Sequence, residues 1–126
     1  MQEQSMTGAV AEYALGLKAE DIPEDVRRHA RILAADHIAC AFGGSFTPLA
    51  ASVAEYARFM GAGGDIPVPG MKERLSPAMA AFVQAGFANA LDYDDTGSRG
   101  HPGSSIFPAV LALGARLGAA GGEVLA

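Results

Sequence analysis

Between Ala90 and Ser105 the chain carries Asp92, Asp94, Asp95, Thr96, Arg99 and His101, all within ten residues. Carboxylates, a hydroxyl, a guanidinium and an imidazole are the groups that orient a polar substrate and move a proton. The spacers are Gly97, Gly100, Pro102 and Gly103, residues that fix turns, and the flanks are rich in Ala, Gly and large apolar side chains. A stretch serving solubility alone would mix in Lys, Glu and Gln. This one uses short, stiff Asp and Thr, and it reads as a site carried on a loop. On that reading Asp92, Thr96 and His101 face one cavity. Asp92 orients a polar group, Thr96 donates a hydrogen bond to a carboxylate and His101 transfers a proton. Pro102-Gly103 then leads into a helix N-terminus, whose free N–H groups favour an anion. Arg99 could grip a carboxylate in a two-pronged way, with a solvated loop charge as the alternative, and Ser104 is placed beside it as a substrate-binding group. A small di- or tricarboxylate suits such a pocket.

Other readings compete. Asp and Gly are what turns ordinarily contain, so the same stretch also reads as a helix-end turn with solvated charges. Asp92-Tyr93-Asp94-Asp95-Thr96 matches D-x-D-x-T, the nucleophile motif of haloacid-dehalogenase-type phosphatases. That motif follows a buried, β-branched strand, whereas Ala80 to Ala90 has helical composition and spacing. Three Asp and His101 could suit Mg²⁺ or Ca²⁺, but the Ca²⁺-loop spacing is absent and one histidine is too few for zinc. The reading adopted has no metal.

Helices must position this loop. Met6 to Lys18 is a short amphipathic segment with Val10, Tyr13, Ala14 and Leu17 at helical spacing. Pro23-Glu24-Asp25 starts a second helix. Val26, Ala30, Leu33, His37 and Ala41 form one of its faces and Ile32, Ala35, Ala39 and Phe42 another, so its second half is expected in an interior before Gly43-Gly44 ends it. His29 and His37 are read as surface or packed residues. Thr47-Pro48 starts a third helix with Leu49, Val53, Tyr56 and Met60 toward the core. Asp65 to Gly70, with prolines at alternate positions, is an extended connector or edge strand. Ser76-Pro77 opens a fourth helix whose face of Met79, Phe82, Val83, Gly86 and Ala90 admits a close neighbour. Ser104 or Ser105 caps a fifth, with Pro108 in its first turn and Phe107, Val110, Leu111, Gly114 and Leu117 buried. Gly118 to Gly122 break it, and Glu123 to Ala126 opens a sixth that is cut off. Natural domains seldom stop one turn into an apolar helix, so residues 1–126 are expected to be the N-terminal part of a longer protein.

Composition sets the outer bounds. The chain has 126 residues, half of them apolar but only 7% aromatic, which suits an all-α, multihelical bundle built on Ala, Leu, Val and Ile. A formal charge of −5 and no basic run beyond the Arg27, Arg28, Arg31 cluster argue against nucleic acid. Cys40, the single cysteine, allows no internal disulfide and reads as inert packing. No secretion signal opens the chain and no apolar run approaches the ~20 residues needed to span a bilayer, so a cytoplasmic protein without membrane partners is expected.

Ala90-Leu91-Asp92-Tyr93-Asp94-Asp95-Thr96, then Gly100-His101-Pro102, then Pro108-Ala109-Val110-Leu111-Ala112-Leu113 resembles the hallmark of the MmgE/PrpD family. That family includes 2-methylcitrate dehydratase, cis-aconitate decarboxylase and iminodisuccinate epimerase. Leu33 to Asp36 through Gly43-Gly44, and Leu75-Ser76-Pro77-Ala78, resemble it in order and spacing, so the likeness covers nearly the whole chain. The resemblance implies a cytoplasmic, homodimeric lyase or isomerase without organic cofactor. It implies a helical domain carrying this segment and a lid domain formed by later sequence. It implies action on small polycarboxylic acids by proton transfer next to a carboxylate, with loss of water or CO₂ or reprotonation on the other face. Carried over, Asp92, Thr96 and His101 fall on active-site positions. Asn89 and Gly97 stand where the family commonly has histidine, and the loop from Thr96 to His101 is short; these departures bear on the substrate. The reading from another class is a non-catalytic helical interaction module whose apolar faces dock on a partner.

Overall fold

The computed structural model describes residues 5–61, 63–97 and 100–125. In order they form α1 (Met6–Gly16), a 3-10 turn (Ala19–Asp21), α2 (Glu24–Gly44), α3 (Pro48–Phe59), α4 (Pro77–Asn89), α5 (Pro102–Leu117) and α6 (Gly121–Val124). Among the described residues the only extended pairings are two isolated antiparallel bridges, Ile66 with Leu75 and Gly97 with Gly100. The fold is all-α.

The helix starts follow local chemistry. The Ser5 side chain accepts the Gly8 N–H ahead of α1, and Thr47 Oγ1 accepts the Ala50 N–H at 3.2 Å with Pro48 as the first residue of α3. Glu24 and Asp25 occupy the first turn of α2, where Glu24 also meets Arg27 and Arg31 at 3.1 Å each. Gly118, at φ +65, closes α5 in the left-handed conformation that glycine tolerates best. The Asp65–Gly70 connector is extended, tied by paired Ile66–Leu75 backbone bonds of 3.0 and 2.9 Å.

One start differs from expectation. α5 begins at Pro102, so Ser104 and Ser105 lie inside its first turn rather than capping it, and their hydroxyls donate to the His101 carbonyl at 3.1 and 3.4 Å. The cap is supplied from the loop, where Asp95 Oδ1 accepts the Gly103 N–H at 2.8 Å. Pro108 consequently falls in the helix interior, buried against its neighbours.

α4 is the central rod. It packs on α5, α2 and α3, and Ala80, Val83, Gln84, Phe87 and Ala88 are buried along it. Small residues set the closeness of these contacts. A side chain on Gly44 would run into the Phe87 carbonyl, so α2 and α4 meet backbone to backbone there, while Gly86 faces the Val53 methyls of α3. Two faces differ from the sequence reading for the same reason. On α3 the buried stripe is Ala50, Ala54 and Ala57, with Leu49, Tyr56 and Met60 about half exposed. Alanines let α3 approach α4 more closely than Leu and Tyr would allow. On α2 only His37, Ala41 and Gly44 are fully buried, and Ile32, Ala35, Ala39 and Phe42 face outward. α5 likewise buries Phe107, Ala112 and Gly114 but leaves Leu117 exposed, and α1 buries nothing.

Candidate active site

The loop between α4 and α5 is built by three short-range devices. The Asp92 N–H donates to the Asn89 carbonyl at 3.1 Å as α4 ends, and Asp92 adopts φ +55, a left-handed conformation that Asp accepts better than most residues. The Gly97 N–H then donates to the Gly100 carbonyl at 2.8 Å, closing a turn that sends the chain back along itself. Asp95, bonded to Gly103, ties the returning strand of loop to the first turn of α5. A side chain on Gly103 would push against the Asp95 carboxylate and displace it from its bond to the Gly103 N–H.

This folding-back places the His101 ring between two carboxylates. Nε2 lies 3.2 Å from Asp92 Oδ1 and Nδ1 lies 3.2 Å from Asp94 Oδ1, the latter contact off the line of a hydrogen bond. The two acids differ sharply in setting: the Asp92 side chain is 81% exposed and that of Asp94 only 1%. Asn89 Nδ2 donates to the same Asp94 Oδ1 at 3.2 Å, so the buried carboxylate is held from the end of α4. The result is an imidazole with one nitrogen toward solvent-exposed acid and the other toward the interior. A protonated ring faces favourable charge on both sides, and a neutral one can keep its proton on either nitrogen.

Of the residues singled out from sequence, the fold therefore brings Asp92 and His101 together. Thr96 is exposed and, among the described residues, makes no hydrogen bond; Ser104 is buried with its hydroxyl directed to the His101 carbonyl. Arg99 lies outside the described residues. Three clefts of about 420, 490 and 260 Å³ among the described residues lie elsewhere and are not lined by Asp92, Thr96 or His101. Asp92, Asp94 and His101 could each present one ligand atom to a metal ion, all within 4.8 Å of one another. Two carboxylates and one imidazole suit a hard cation better than zinc.

Three contributors escaped the sequence reading. Buried Asp94 and Asn89, exposed at the end of α4, form the support for the ring, and the third is His37 of α2. His37 is 1% exposed, stacked on Phe107 with ring centroids 6.0 Å apart, and neither of its nitrogens has a hydrogen-bond partner. Burial lowers its affinity for a proton, while Gln84 beside it and the charges of Asp94, Asp36 and Asp95 pull the other way without prevailing. Cys40, one turn further along, has its thiol pushed up by burial and by Asp36, Asp94 and Asp95, which keeps it protonated and unreactive. The spacing Asn89-x4-Asp94 at a helix end was the available signal for the first pair. His37 carried none, because its company arrives from residues nearly sixty positions away.

Comparison with known proteins fits this arrangement. Residues 8–126 match the MmgE/PrpD N-terminal domain. The chain is 31% identical over 112 residues to cis-aconitate decarboxylase of Aspergillus terreus, covering 87% of this chain and 23% of that protein. It is 32% identical over 112 residues to cis-aconitate decarboxylase-like protein oryM of Aspergillus oryzae, again 87% of this chain and 23% of the relative. Cis-aconitate decarboxylase of Mus musculus is 28% identical over 115 residues, 90% of this chain and 24% of the relative. The chain thus spans about a quarter of the length of the curated relatives it matches. No solved structure matches it. With the family's N-terminal domain matched over nearly every residue, and a helical bundle holding the aspartate loop against the imidazole, the chain belongs to the MmgE/PrpD family.

Proposed function

We propose that this chain supplies the proton-transferring part of a lyase site for a small di- or tricarboxylic acid, with decarboxylation of a cis-aconitate-like substrate as the leading reaction. The single observation that carries this reading is the His101 ring held between Asp92 and Asp94 at 3.2 Å on either side. Loss of CO₂ from an unsaturated polycarboxylate leaves an electron pair on carbon that must take up a proton. An imidazolium on the open side of the loop can give that proton from Nε2 and regain one from solvent through exposed Asp92. Asp94, held by Asn89, steadies the opposite nitrogen. Thr96, exposed beside the loop, and Arg99 are the groups proposed to receive substrate carboxylates, with Ser104 holding the first turn of α5 in place. Dehydration, as in 2-methylcitrate dehydratase, and epimerisation use the same acid–base group. The similarity to decarboxylases favours loss of CO₂ among the three.

The complete protein is proposed to act without an organic cofactor, as a homodimer in the cytoplasm. A lone free cysteine fits a reducing compartment. The test is turnover of cis-aconitate, 2-methylcitrate and iminodisuccinate by the complete protein and its His101→Ala variant. Turnover of the accepted acid should fall by about 10²–10⁴-fold while the melting temperature stays nearly unchanged. Equal loss of both would make the residue structural. No turnover of any of the acids by the parent would favour a non-catalytic helical module, a reading that draws on half-exposed or exposed Phe42, Phe46, Phe59 and Leu117.

A further inference from the structure

His101 and the acid that faces its Nε2 are carried by different helices. His101 stands immediately before Pro102, the first residue of α5, and its carbonyl accepts the Ser104 hydroxyl at 3.1 Å and the Ser105 hydroxyl at 3.4 Å. The residue therefore moves with the first turn of α5. Asp92, 3.2 Å from Nε2, belongs to the other side of the loop, where its N–H donates to the Asn89 carbonyl at the end of α4. Acid and imidazole meet only while the loop is held against the start of α5.

Among the described residues, Asp95 is the only side chain of that loop to hydrogen-bond with α5, its Oδ1 accepting the Gly103 N–H at 2.8 Å. A carboxylate on a backbone N–H at a helix start makes a charge-assisted bond, favoured again by the partial positive charge of the helix end. Asp95 is half-buried and Gly103 buried, so water competes poorly for the bond. The two residues work as one joint. Glycine leaves the space that the carboxylate fills, and a Cβ at position 103 would fall on the same oxygen. Pro102 has no N–H and that of Gly103 is taken, so the anion expected from sequence at this helix start is supplied by the chain itself.

We propose that Asp95 is a positioning residue for His101: by capping Gly103 it fixes the start of α5, and with it the imidazole, relative to Asp92. The proposal rests on the lyase reading and deepens it, since it says which group sets the place of the proton-transferring ring. Asp95 acts through the backbone of the first helical turn and not on the ring itself. A misplacement of about 1 Å is enough to cost a reaction on the order of 10²-fold in rate, so a single cap at this junction has leverage on turnover that its distance from the chemistry hides. Carboxylate and glycine form a unit, and undoing either half undoes the whole.

The test compares Asp95→Ala, Gly103→Ala, the double variant and Asp95→Asn in the complete protein, at a temperature where each is folded by circular dichroism. With the accepted acid, Asp95→Ala should lower kcat by about 10- to 100-fold and leave KM within about twofold. Gly103→Ala, which displaces the carboxylate, should do the same. The double variant should be no worse than either single one, because both remove one joint. Asp95→Asn keeps an oxygen acceptor and should regain most of the rate, which a loss through general destabilisation would not allow. An unchanged kcat in Asp95→Ala, additive losses in the double variant, or no recovery in Asp95→Asn overturns the proposal. Should Asp95→Ala not fold, Gly103→Ala against Asp95→Asn decides. A second reading needs no substrate: the ring ¹⁵N shifts of His101 should move in Asp95→Ala and return in Asp95→Asn, and shifts unmoved in folded Asp95→Ala also overturn it. If the parent turns over none of the acids, the lyase reading fails, and these shifts alone settle whether Asp95 places the ring.

Discussion

α1 and α4 are close to the same length, 11 and 13 residues, with the same average hydrophobicity and the same weak sidedness, yet α4 buries five residues and α1 none. Composition does not separate them. What separates them is the neighbour each meets. α4 finds Gly44 of α2, whose missing side chain lets the two backbones touch at Phe87, and offers its own Gly86 to Val53 of α3. α1 makes no extensive contact with any other helix, and Met6, Val10, Tyr13 and Leu15 stand exposed along it. An apolar helix becomes core only where small residues opposite it allow close approach; otherwise its hydrophobicity stays on the surface.

The sharpest way to break the contrast is to hollow out α4. Phe87, 2% exposed and the largest fully buried side chain, should cost about 3–5 kcal/mol when changed to Ala, read as a shift in urea midpoint with unchanged slope. A loss below 1 kcal/mol would mean that α4 is not the centre of the fold. Next in size is the pH dependence that buried His37 imposes on the same junction. Burial keeps its ring neutral in the folded chain, whereas the unfolded chain takes up a proton below about pH 6.5. Stability should therefore decline as pH falls below that value, by at most about 1.4 kcal/mol per pH unit from this group, and His37→Gln should flatten the slope between pH 7.5 and 5.5. Smallest is the effect on α1, where Tyr13→Ala should change stability by no more than about 0.5 kcal/mol, since its ring is 70% exposed. A larger loss would show that α1 is covered in solution by something outside this chain.

Much of the architecture was legible because its signals are local. Thr47-Pro48, Ser76-Pro77, Gly43-Gly44 at the end of α2 and Gly118 after α5 act within a turn of themselves, and helices begin or end at all of them. Asp92 and His101 were legible as a pair because a tight Gly-rich turn forces the chain to double back. The rest depended on distance along the chain. Helical spacing marks the large apolar residues of α3, but burial went to Ala50, Ala54 and Ala57, because the contact is governed by how near α4 can come. The cap of α5 came from Asp95, eight residues before its partner, rather than from the adjacent serines. In sequence Asp94 reads as one more solvated charge in an acidic turn, whereas in the fold it is buried, with His101 and Asn89 against its carboxylate.

That bond between Asp95 and Gly103 has a consequence for how the assembly responds to heat. It anchors the acidic bend to the rod that follows, so a displacement of α5 drags the bend with it instead of stretching the gap between them. Acid and imidazole should then hold their alignment through ordinary thermal jostling and lose it in a single step, when the first coil of that rod unwinds.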